Sequence, residues 1–376
     1  MMLARKSLLN FGMRCFASNL KIKLHDCDAY KLDKSILPKT SEATKEECLQ
    51  YYRDMNLVRR VEIACDNCYK NKEMRGFCHL YDGQEAVCVG IEAAITRNDH
   101  IITAYRCHGQ QICRGDTPER ILAEMMGKVD GCSKGKGGSM HITLAKNKFY
   151  GGNGIVGGQT PLGTGIAFGI KYENKKEVSV TMYGDGAANQ GQLYEAANMA
   201  KLWSLPVIYV CENNLYAMGT ANARATANTN YHTKLDLIPG IKGDGQNIFA
   251  VKEIMKFARK WCLDGKGPIC IEYLTYIYHG HSMSDPGLSY RSREEVADVR
   301  KNRDPIDIMK KILMENNICK ENELKEIEQA TKKQVDDAVE IARASKFPVP
   351  DDLYRDVVTG PYTIRGVILE KQYVQN

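Results

Sequence analysis

The stretch Tyr183-Gly184-Asp185-Gly186-Ala187-Ala188-Asn189-Gln190-Gly191 follows the apolar run 178–183, and Glu212-Asn213-Asn214 follows a second apolar run at 206–211. Residues 192–203 between the runs have a helical pattern, so this region predicts a strand, a helix and a strand. The two strands of such a unit are parallel, and both polar turns then lie at the edge where open α/β sheets bind ligands. The predicted fold class is therefore α/β, with a doubly wound, mostly parallel sheet.

The two polar turns carry residues that suit a metal ion and a diphosphate. Gly184 and Gly186 allow close approach of the backbone to a phosphate because they have no Cβ. The Asp185 carboxylate and the Asn214 amide, 29 positions apart, supply the oxygen ligands that Mg²⁺ prefers. Each turn alone is an ordinary turn sequence. The pair at this spacing favours a site for a metal and a diphosphate.

Helical patterns and apolar runs alternate through most of the chain, which supports the same fold class. Residues 131–168 interrupt the alternation, because they are rich in glycine and show no obvious helix or strand. A packed segment of this kind is commonly a ligand-binding segment. The other predicted helices lie at 48–69, 85–96, 118–127, 251–263, 306–314 and 324–344, and the other predicted strands at 101–105 and 269–276.

The N-terminal segment 1–25 differs from the rest of the chain. Five basic residues and no acidic residue precede Asp26, and leucine and phenylalanine lie among them. This pattern is typical of a mitochondrial transit peptide and predicts the mitochondrial matrix as the location; a basic arm that binds an acidic partner is the alternative. The remainder is predicted to form a diphosphate-binding domain at 26–300, which includes the polar loop 278–293, and a C-terminal helical extension and tail at 301–376.

The composition excludes several classes of protein. The chain has 376 residues, of which 43% are hydrophobic and 26% charged, as in ordinary globular proteins. No run approaches the length of a membrane span, so we expect no membrane insertion. Most of the excess positive charge lies in the leader, which leaves no argument for nucleic acid. Fourteen scattered cysteines, including the C-x-x-C pair Cys65 and Cys68, are expected to be reduced core residues.

Two glycine-rich stretches resemble nucleotide-binding motifs. Gly152 to Gly157 satisfies the dinucleotide pattern, but no buried strand is predicted before it, so we reject a dinucleotide site. Gly131 to Gly137 is one residue shorter than a P-loop and lacks a serine or threonine after its last lysine. We expect it to form a basic glycine loop near a phosphate or an anionic cofactor.

Longer motifs identify a family. The motifs lie at 75–86, 104–109, 135–141, 150–157 and 278–287. Together with the two polar turns, they closely resemble the α subunits of thiamine-diphosphate-dependent 2-oxoacid dehydrogenases, and the last of them resembles the pyruvate-specific branch. The resemblance covers residues from about 47 to 365. It implies the thiamine-diphosphate-binding fold with helical N- and C-terminal extensions, and thiamine diphosphate and Mg²⁺ as cofactors.

The resemblance also implies roles for individual residues. Mg²⁺ would be held by Asp185, the Asn214 side chain and the Tyr216 carbonyl. His79 and His281 would be catalytic, since an imidazole that titrates near about 6.5 suits proton transfer at neutral pH. Contacts with the cofactor are implied for Tyr105, Arg106, Gly154, Val156, Gly186, Ala187 and His281. Contacts with the substrate are implied for His79, Tyr105, Ala145, Gly154 and Val156.

The implied activity is the oxidative decarboxylation of pyruvate with reductive acetylation of a lipoyl group on the transacetylase component. In this family the carboxylate that protonates the aminopyrimidine belongs to the β subunit, so an α2β2 heterotetramer is predicted. Ser282 and Ser289 match family phosphorylation positions, which implies a pyruvate dehydrogenase kinase and phosphatase as partners, whereas Ala221 stands at the third such position. The alternatives are a branched-chain 2-oxoacid or acetoin dehydrogenase α subunit and a non-catalytic assembly paralogue.

Overall fold

The computed structural model describes residues 20–356. Most of the predicted leader and the predicted tail from residue 357 lie outside the described residues. The strands are β1 Leu20–Lys23, β2 Asp28–Tyr30, β3 Thr40–Ala43, β4 His100–Ala104, β5 Phe149–Asn153, β6 Ser179–Gly184, β7 Val207–Asn213, β8 Tyr216–Ala217, β9 Thr220–Ala221, β10 Gly240–Asp244 and β11 Ile269–Leu274.

The helices include all those predicted from the periodic patterns, with ends that differ by a few residues. Within residues 20–356, none of them is both long and apolar enough to cross a membrane. They are α1 Lys45–Lys70, α2 Glu85–Glu92, α3 His108–Cys113, α4 Pro118–Met125, α5 Gln159–Tyr172, α6 Gly191–Leu202, α7 Asn222–Ala225, α8 Ile248–Leu263, α9 Arg293–Arg303, α10 Pro305–Glu315 and α11 Glu321–Ala344.

A seven-stranded sheet forms the centre of the part of the chain that the structure describes. Six strands run parallel in the order β10, β11, β7, β6, β4 and β5, and β2 pairs antiparallel with β10 at one edge. The chain passes from β4 to the edge strand β5 and then returns across β4 to β6. The carboxyl ends of β4 and β6 therefore lie at a topological switch point, where ligands bind in open α/β sheets.

The side chains of β7 show that helices cover both faces of the sheet. Ile208 and Val210 share one buried cluster with side chains of α2 and α8. Val207, Tyr209 and Cys211 share another with side chains of α5 and α6. Strands buried on both faces are typical of parallel sheets. The predicted doubly wound, mostly parallel α/β fold is confirmed.

The C-terminal helices pack on the N-terminal helix. Leu324, Val335 and Ala338 of α11 are buried in one cluster with side chains of α1 and α10. Ala342 belongs to the same buried face, whereas the neighbouring Ile341 side chain is 57% exposed. The predicted boundary between the α/β domain and this helical extension stays a prediction.

Residues 131–168 contain more regular structure than predicted, since β5 and most of α5 lie within them. Glycine and Pro161 lower the helical propensity of α5, so its pattern was missed. One of these glycines is required by packing: a Cβ on Gly163 would lie 2.0 Å from Oγ1 of Thr181 in β6. The dinucleotide-like stretch begins inside β5, a partly exposed edge strand, so it does not follow a buried strand, as expected.

The glycine-rich loop 131–138 binds an anion that belongs to the chain itself. Glu124 of α4 is fully buried, and its Oε2 accepts hydrogen bonds from the backbone N–H groups of Ser133 at 2.7 Å and Gly135 at 2.8 Å. Its Oε1 accepts from the N–H groups of Gly137 at 2.6 Å and Gly138 at 3.2 Å. These N–H groups already serve a carboxylate, so the geometry gives no support to a phosphate contact at this loop, and its predicted position near a phosphate or an anionic cofactor stays a prediction.

We predict that Glu124→Gln lowers the free energy of unfolding by about 2 to 4 kcal/mol, because a neutral amide leaves buried N–H groups without a full set of acceptors. Urea denaturation and thermal scanning measure the change. Glu119→Gln, on the half-exposed side of the same helix, is the control and should stay within about 0.5 kcal/mol of the parent. Equal stability of the two variants would contradict the role given to Glu124.

Candidate functional site

A cavity of about 300 Å³ opens at the carboxyl ends of β4, β6 and β7. Its position at the switch point agrees with the site predicted from the two polar turns. The predicted site residues in its walls are Tyr105, Arg106, Val156, Asp185, Gly186, Ala187, Asn214, Tyr216 and His281. The fold therefore brings together residues that are far apart in the sequence.

The other three predicted site residues lie at different distances from the cavity. The His79 ring packs behind the cavity wall, with its centroid 4.4 Å from that of Tyr105 and 5.3 Å from that of His281. Gly154 is exposed on the segment that leads to Val156 in the wall. Ala145 is exposed on the 3₁₀ turn Ala145–Asn147 and is not a wall residue. The geometry gives no support to a substrate contact at Ala145, which stays a prediction.

The two side chains predicted to bind a metal are both buried in the cavity. Oδ2 of Asp185 has no hydrogen-bond partner among the described residues, and burial raises the pKa of this carboxyl to about 6. The Asn214 amide nitrogen donates to Gln84 Oε1 at 3.2 Å, and this hydrogen bond fixes the orientation of the amide group. A buried carboxylate oxygen without a donor, beside an amide oxygen, suits an oxygen-binding divalent cation.

The Arg106 guanidinium, 6% exposed, connects three loops of the site. Nη1 donates to the Leu80 carbonyl, and Nη2 donates to the His281 carbonyl at 2.9 Å. Arg106 was predicted to contact the cofactor as a bidentate cation. The side chain does line the cavity, but it also holds the loops of both predicted catalytic histidines. Its further N–H groups are the ones that an anionic ligand in the cavity would use.

Both predicted catalytic histidines are neutral at pH 7. Burial, with a contribution from the nearby Arg106, lowers the pKa of His79 to about 2 and that of His281 to about 4. The expectation that they titrate near neutrality does not hold for the chain without ligand, because the rings lie away from water and near a cation. Nδ1 of His79 is buried and has no hydrogen-bond partner among the described residues.

Three polar residues of the cavity wall, Gln84, Gln159 and Glu212, were not predicted, although Gln84 and Glu212 stand inside motifs that the sequence singled out. Glu212 directly precedes the Asn-Asn turn, and Gln84 lies in the motif at 75–86. Glu212 accepts a hydrogen bond from the Tyr81 hydroxyl, and burial raises the pKa of its carboxyl to about 7. A carboxyl with a pKa this close to neutrality, at a cavity wall, is a candidate for proton transfer.

The polar loop 278–293 folds back on the site. Asp285 accepts hydrogen bonds from the His281 and Gly287 N–H groups, both at 2.8 Å, and so holds the turn that contains Ser282. The Ser282 side chain is only 6% exposed, whereas Ser289 is exposed. The two predicted phosphorylation positions therefore differ in their access to solvent.

Comparisons with known proteins agree with this site. A family model described as the dehydrogenase E1 component matches residues 53–351. The chain belongs to the dehydrogenase E1 component family. This is a family of thiamine-diphosphate-dependent 2-oxoacid dehydrogenases, so the predicted family is confirmed.

The chain is similar to curated proteins over nearly its whole length. It is 51% identical to the mitochondrial pyruvate dehydrogenase E1 component subunit alpha of Sminthopsis macroura, covering 94% of this chain and 97% of the relative. It is 52% identical to the somatic form of Rattus norvegicus and 51% identical to that of Homo sapiens, in each case over 94% of this chain and 90% of the relative. These relatives are named as mitochondrial, which confirms the predicted location.

We predict that Asp185→Asn stabilises the chain in the absence of divalent cations. The folded pKa of about 6 lies above the ordinary value of 3.8, so stability falls as pH rises between these values and the cost is complete above them. At about pH 7.5 with a chelator, the variant should be more stable by about 3 kcal/mol, and the difference should shrink toward about pH 4.5. Thermal unfolding at both pH values measures this. Asp337→Asn, at an exposed position, is the control and should show no such pH dependence.

Proposed function

We propose that this chain is the α subunit of a mitochondrial pyruvate dehydrogenase component, and that thiamine diphosphate and Mg²⁺ bind in the 300 Å³ cavity. The single observation that carries the proposal is the joint burial of Asp185 and Asn214 in a cavity at the switch point, in a chain half identical to named subunits of this enzyme. The Asp185 carboxylate, the Asn214 side chain and the Tyr216 carbonyl would hold Mg²⁺. The Gly186 and Ala187 backbone would line the diphosphate.

Thiamine diphosphate supplies, when bound, the electron sink for loss of CO₂ from a 2-oxoacid. The chain's own residues position the reactants and move protons. Arg106 provides a fixed positive charge beside the site, which favours an anionic substrate or cofactor. His281 presents a neutral imidazole to the cavity, and the neutral His79 ring packs next to it behind the wall, with the two ring centroids 5.3 Å apart. We assign proton transfer to them, because a neutral imidazole can accept a proton and later return it.

The proposed partner is a β subunit in an α2β2 heterotetramer, which would add the carboxylate that faces the aminopyrimidine. Three apolar side chains near the cavity mouth support a covering partner: Ile155 is 73% exposed, Val156 44% and Met218 61%. Exposed apolar groups around a polar cavity are typical of a surface that another protein covers. The lipoyl domain of the transacetylase would then reach the site from the remaining open side.

We expect the chain co-expressed with its β subunit to decarboxylate pyruvate, and the chain alone to show no turnover. The assay measures CO₂ release with Mg²⁺, thiamine diphosphate and a lipoyl acceptor, with 2-oxoisovalerate as the competing substrate. A preference for 2-oxoisovalerate would favour the branched-chain alternative. The control is Asp185→Asn in the assembled tetramer, which should lose cofactor binding and activity; an inactive parent that assembles normally would favour the non-catalytic paralogue.

Phosphorylation of Ser282 is the proposed control of activity. Ser282 follows His281 directly, and its Oγ lies 2.9 Å from Ser284 Oγ in a turn already held by Asp285. A phosphate here would add nearly two negative charges to a buried turn next to a site for an anionic cofactor and substrate. Repulsion and opening of the loop would follow. Ser289 is the proposed second, exposed phosphorylation position.

Ser282→Glu should therefore lower pyruvate turnover more than about tenfold, because one buried negative charge already disturbs the turn that carries His281. Ser282→Ala is the matched control and should retain most of the parent activity. Turnover of the assembled tetramer at saturating cofactor measures both. If the glutamate variant were as active as the alanine variant, Ser282 would not act as a switch.

A further inference from the structure

Three buried polar side chains form a continuous hydrogen-bonded row behind the predicted catalytic His79. Glu62 of α1 and His108 of α3 are fully buried, and both Glu62 carboxylate oxygens lie 3.0 Å from His108 Nδ1. His108 Nε2 lies 2.9 Å from Ser139 Oγ, and Ser139 is 6% exposed. The backbone N–H of His79 donates to the same Oγ at 3.3 Å. The row therefore runs from α1 to the backbone of His79.

The hydrogen bonds of His108 join the two ends of this row. Its Nδ1 faces both oxygens of the Glu62 carboxylate, and its Nε2 lies 2.9 Å from Ser139 Oγ and 3.2 Å from the Ser139 carbonyl oxygen. The His79 N–H donates to the same Oγ. Glu62 therefore fixes the orientation of the His108 ring, and the ring in turn holds both the side chain and the backbone of Ser139.

The same residues do not suit two other functions. Glu62, Cys65 and His108 place possible metal-ligand atoms within 4.8 Å of one another. Both ring nitrogens of His108 already have hydrogen-bond partners within the protein, however, which argues against a metal ligand. The order of carboxylate, histidine and serine is also that of a hydrolytic triad. The burial of all three side chains leaves no room for a substrate at the hydroxyl.

The row also joins the loops of the site. His108 begins α3 only two residues after Arg106, and the Cys107 thiol between them donates to the Ser139 carbonyl at 3.5 Å. Ser139 follows the glycine-rich loop that Glu124 holds in place. Movement of Ser139 would therefore change the position of His79 relative to the Tyr105 and His281 rings.

We propose that Glu62, His108 and Ser139 are positioning residues for the decarboxylation, and that they act by holding the His79 backbone so that its ring faces the reacting groups. This inference rests on the proposed function, since His79 is assigned there. None of the three residues touches the substrate. Their loss should therefore affect the rate of the chemical step more than the binding of substrate or cofactor.

The test is Ser139→Ala in the assembled α2β2 protein, with Ser133→Ala as the matched control. Ser133 lies on the same glycine-rich loop, and its hydroxyl donates to the His141 carbonyl at 3.0 Å without reaching His79. We expect kcat to fall about tenfold in Ser139→Ala, while KM and the half-saturating thiamine diphosphate concentration stay near those of the parent. The thermal midpoint should fall modestly, because His108 and the His79 N–H lose a buried hydrogen-bond partner, and the tetramer should stay folded at the assay temperature. Ser133→Ala should keep the parent kcat.

The comparison uses whichever 2-oxoacid the parent tetramer turns over. If the parent tetramer shows no activity with pyruvate, the proposed function is refuted. The ratio of the Ser139→Ala kcat to the parent kcat, measured on the 2-oxoacid that is turned over, would still test the row. An unchanged kcat in Ser139→Ala, or a loss of kcat matched by an equal loss of cofactor binding, would overturn the inference. If Ser139→Ala does not assemble, the kcat of Glu62→Gln tests the inference instead. The glutamine side chain keeps the shape of glutamate but lacks the charge that orients His108. A parent-like kcat in that variant would also overturn it.

Discussion

The buried guanidinium of Arg106 is the interaction on which the geometry of the site depends. It lies two residues after the end of β4 and donates to the carbonyls of Leu80 and His281, which belong to loops far apart in the sequence. A buried cation that loses these acceptors would be left unpaired at a cost of several kcal/mol. Neither loop can therefore move without a large penalty, and the rings of His79 and His281 keep a fixed relation to the sheet.

Burial shifts the pKa values of the acidic and basic groups of the site in opposite directions. Burial and Arg106 keep both histidines neutral. Burial raises the pKa of Asp185 to about 6 and that of Glu212 to about 7, and Asp185 retains an oxygen without a donor. An ionised carboxylate in such a place is costly unless a cation joins it. A bound divalent ion would remove this cost, so cation binding and stability are linked.

The sequence predicted the parts of the fold in which the local pattern and the tertiary packing agree. The strands around 178–183 and 206–211 are buried on both faces, so their apolar runs were unambiguous, and the polar turns that follow them were placed correctly. Helix α5 was missed because glycine and proline lower its helical propensity, and a local propensity cannot show that one of these glycines, Gly163, packs on the distant strand β6. The pKa values of the histidines escaped prediction for a similar reason, since they depend on burial and on Arg106.

The anion that the glycine-rich loop binds could not be predicted from the sequence of the loop. Successive backbone N–H groups bind any anion of suitable size, and the pattern does not say whether that anion is a phosphate or a carboxylate. In this chain it is Glu124, which lies just before the loop in the sequence. Because the buried Glu124 carboxylate fixes the loop, Ser139 at the end of the loop has a fixed position. Its hydroxyl can in turn hold the His79 backbone. The glycine-rich loop resembles a ligand-binding motif, but it acts on the candidate functional site indirectly. The Glu124 carboxylate makes the loop rigid, and the rigid loop positions Ser139.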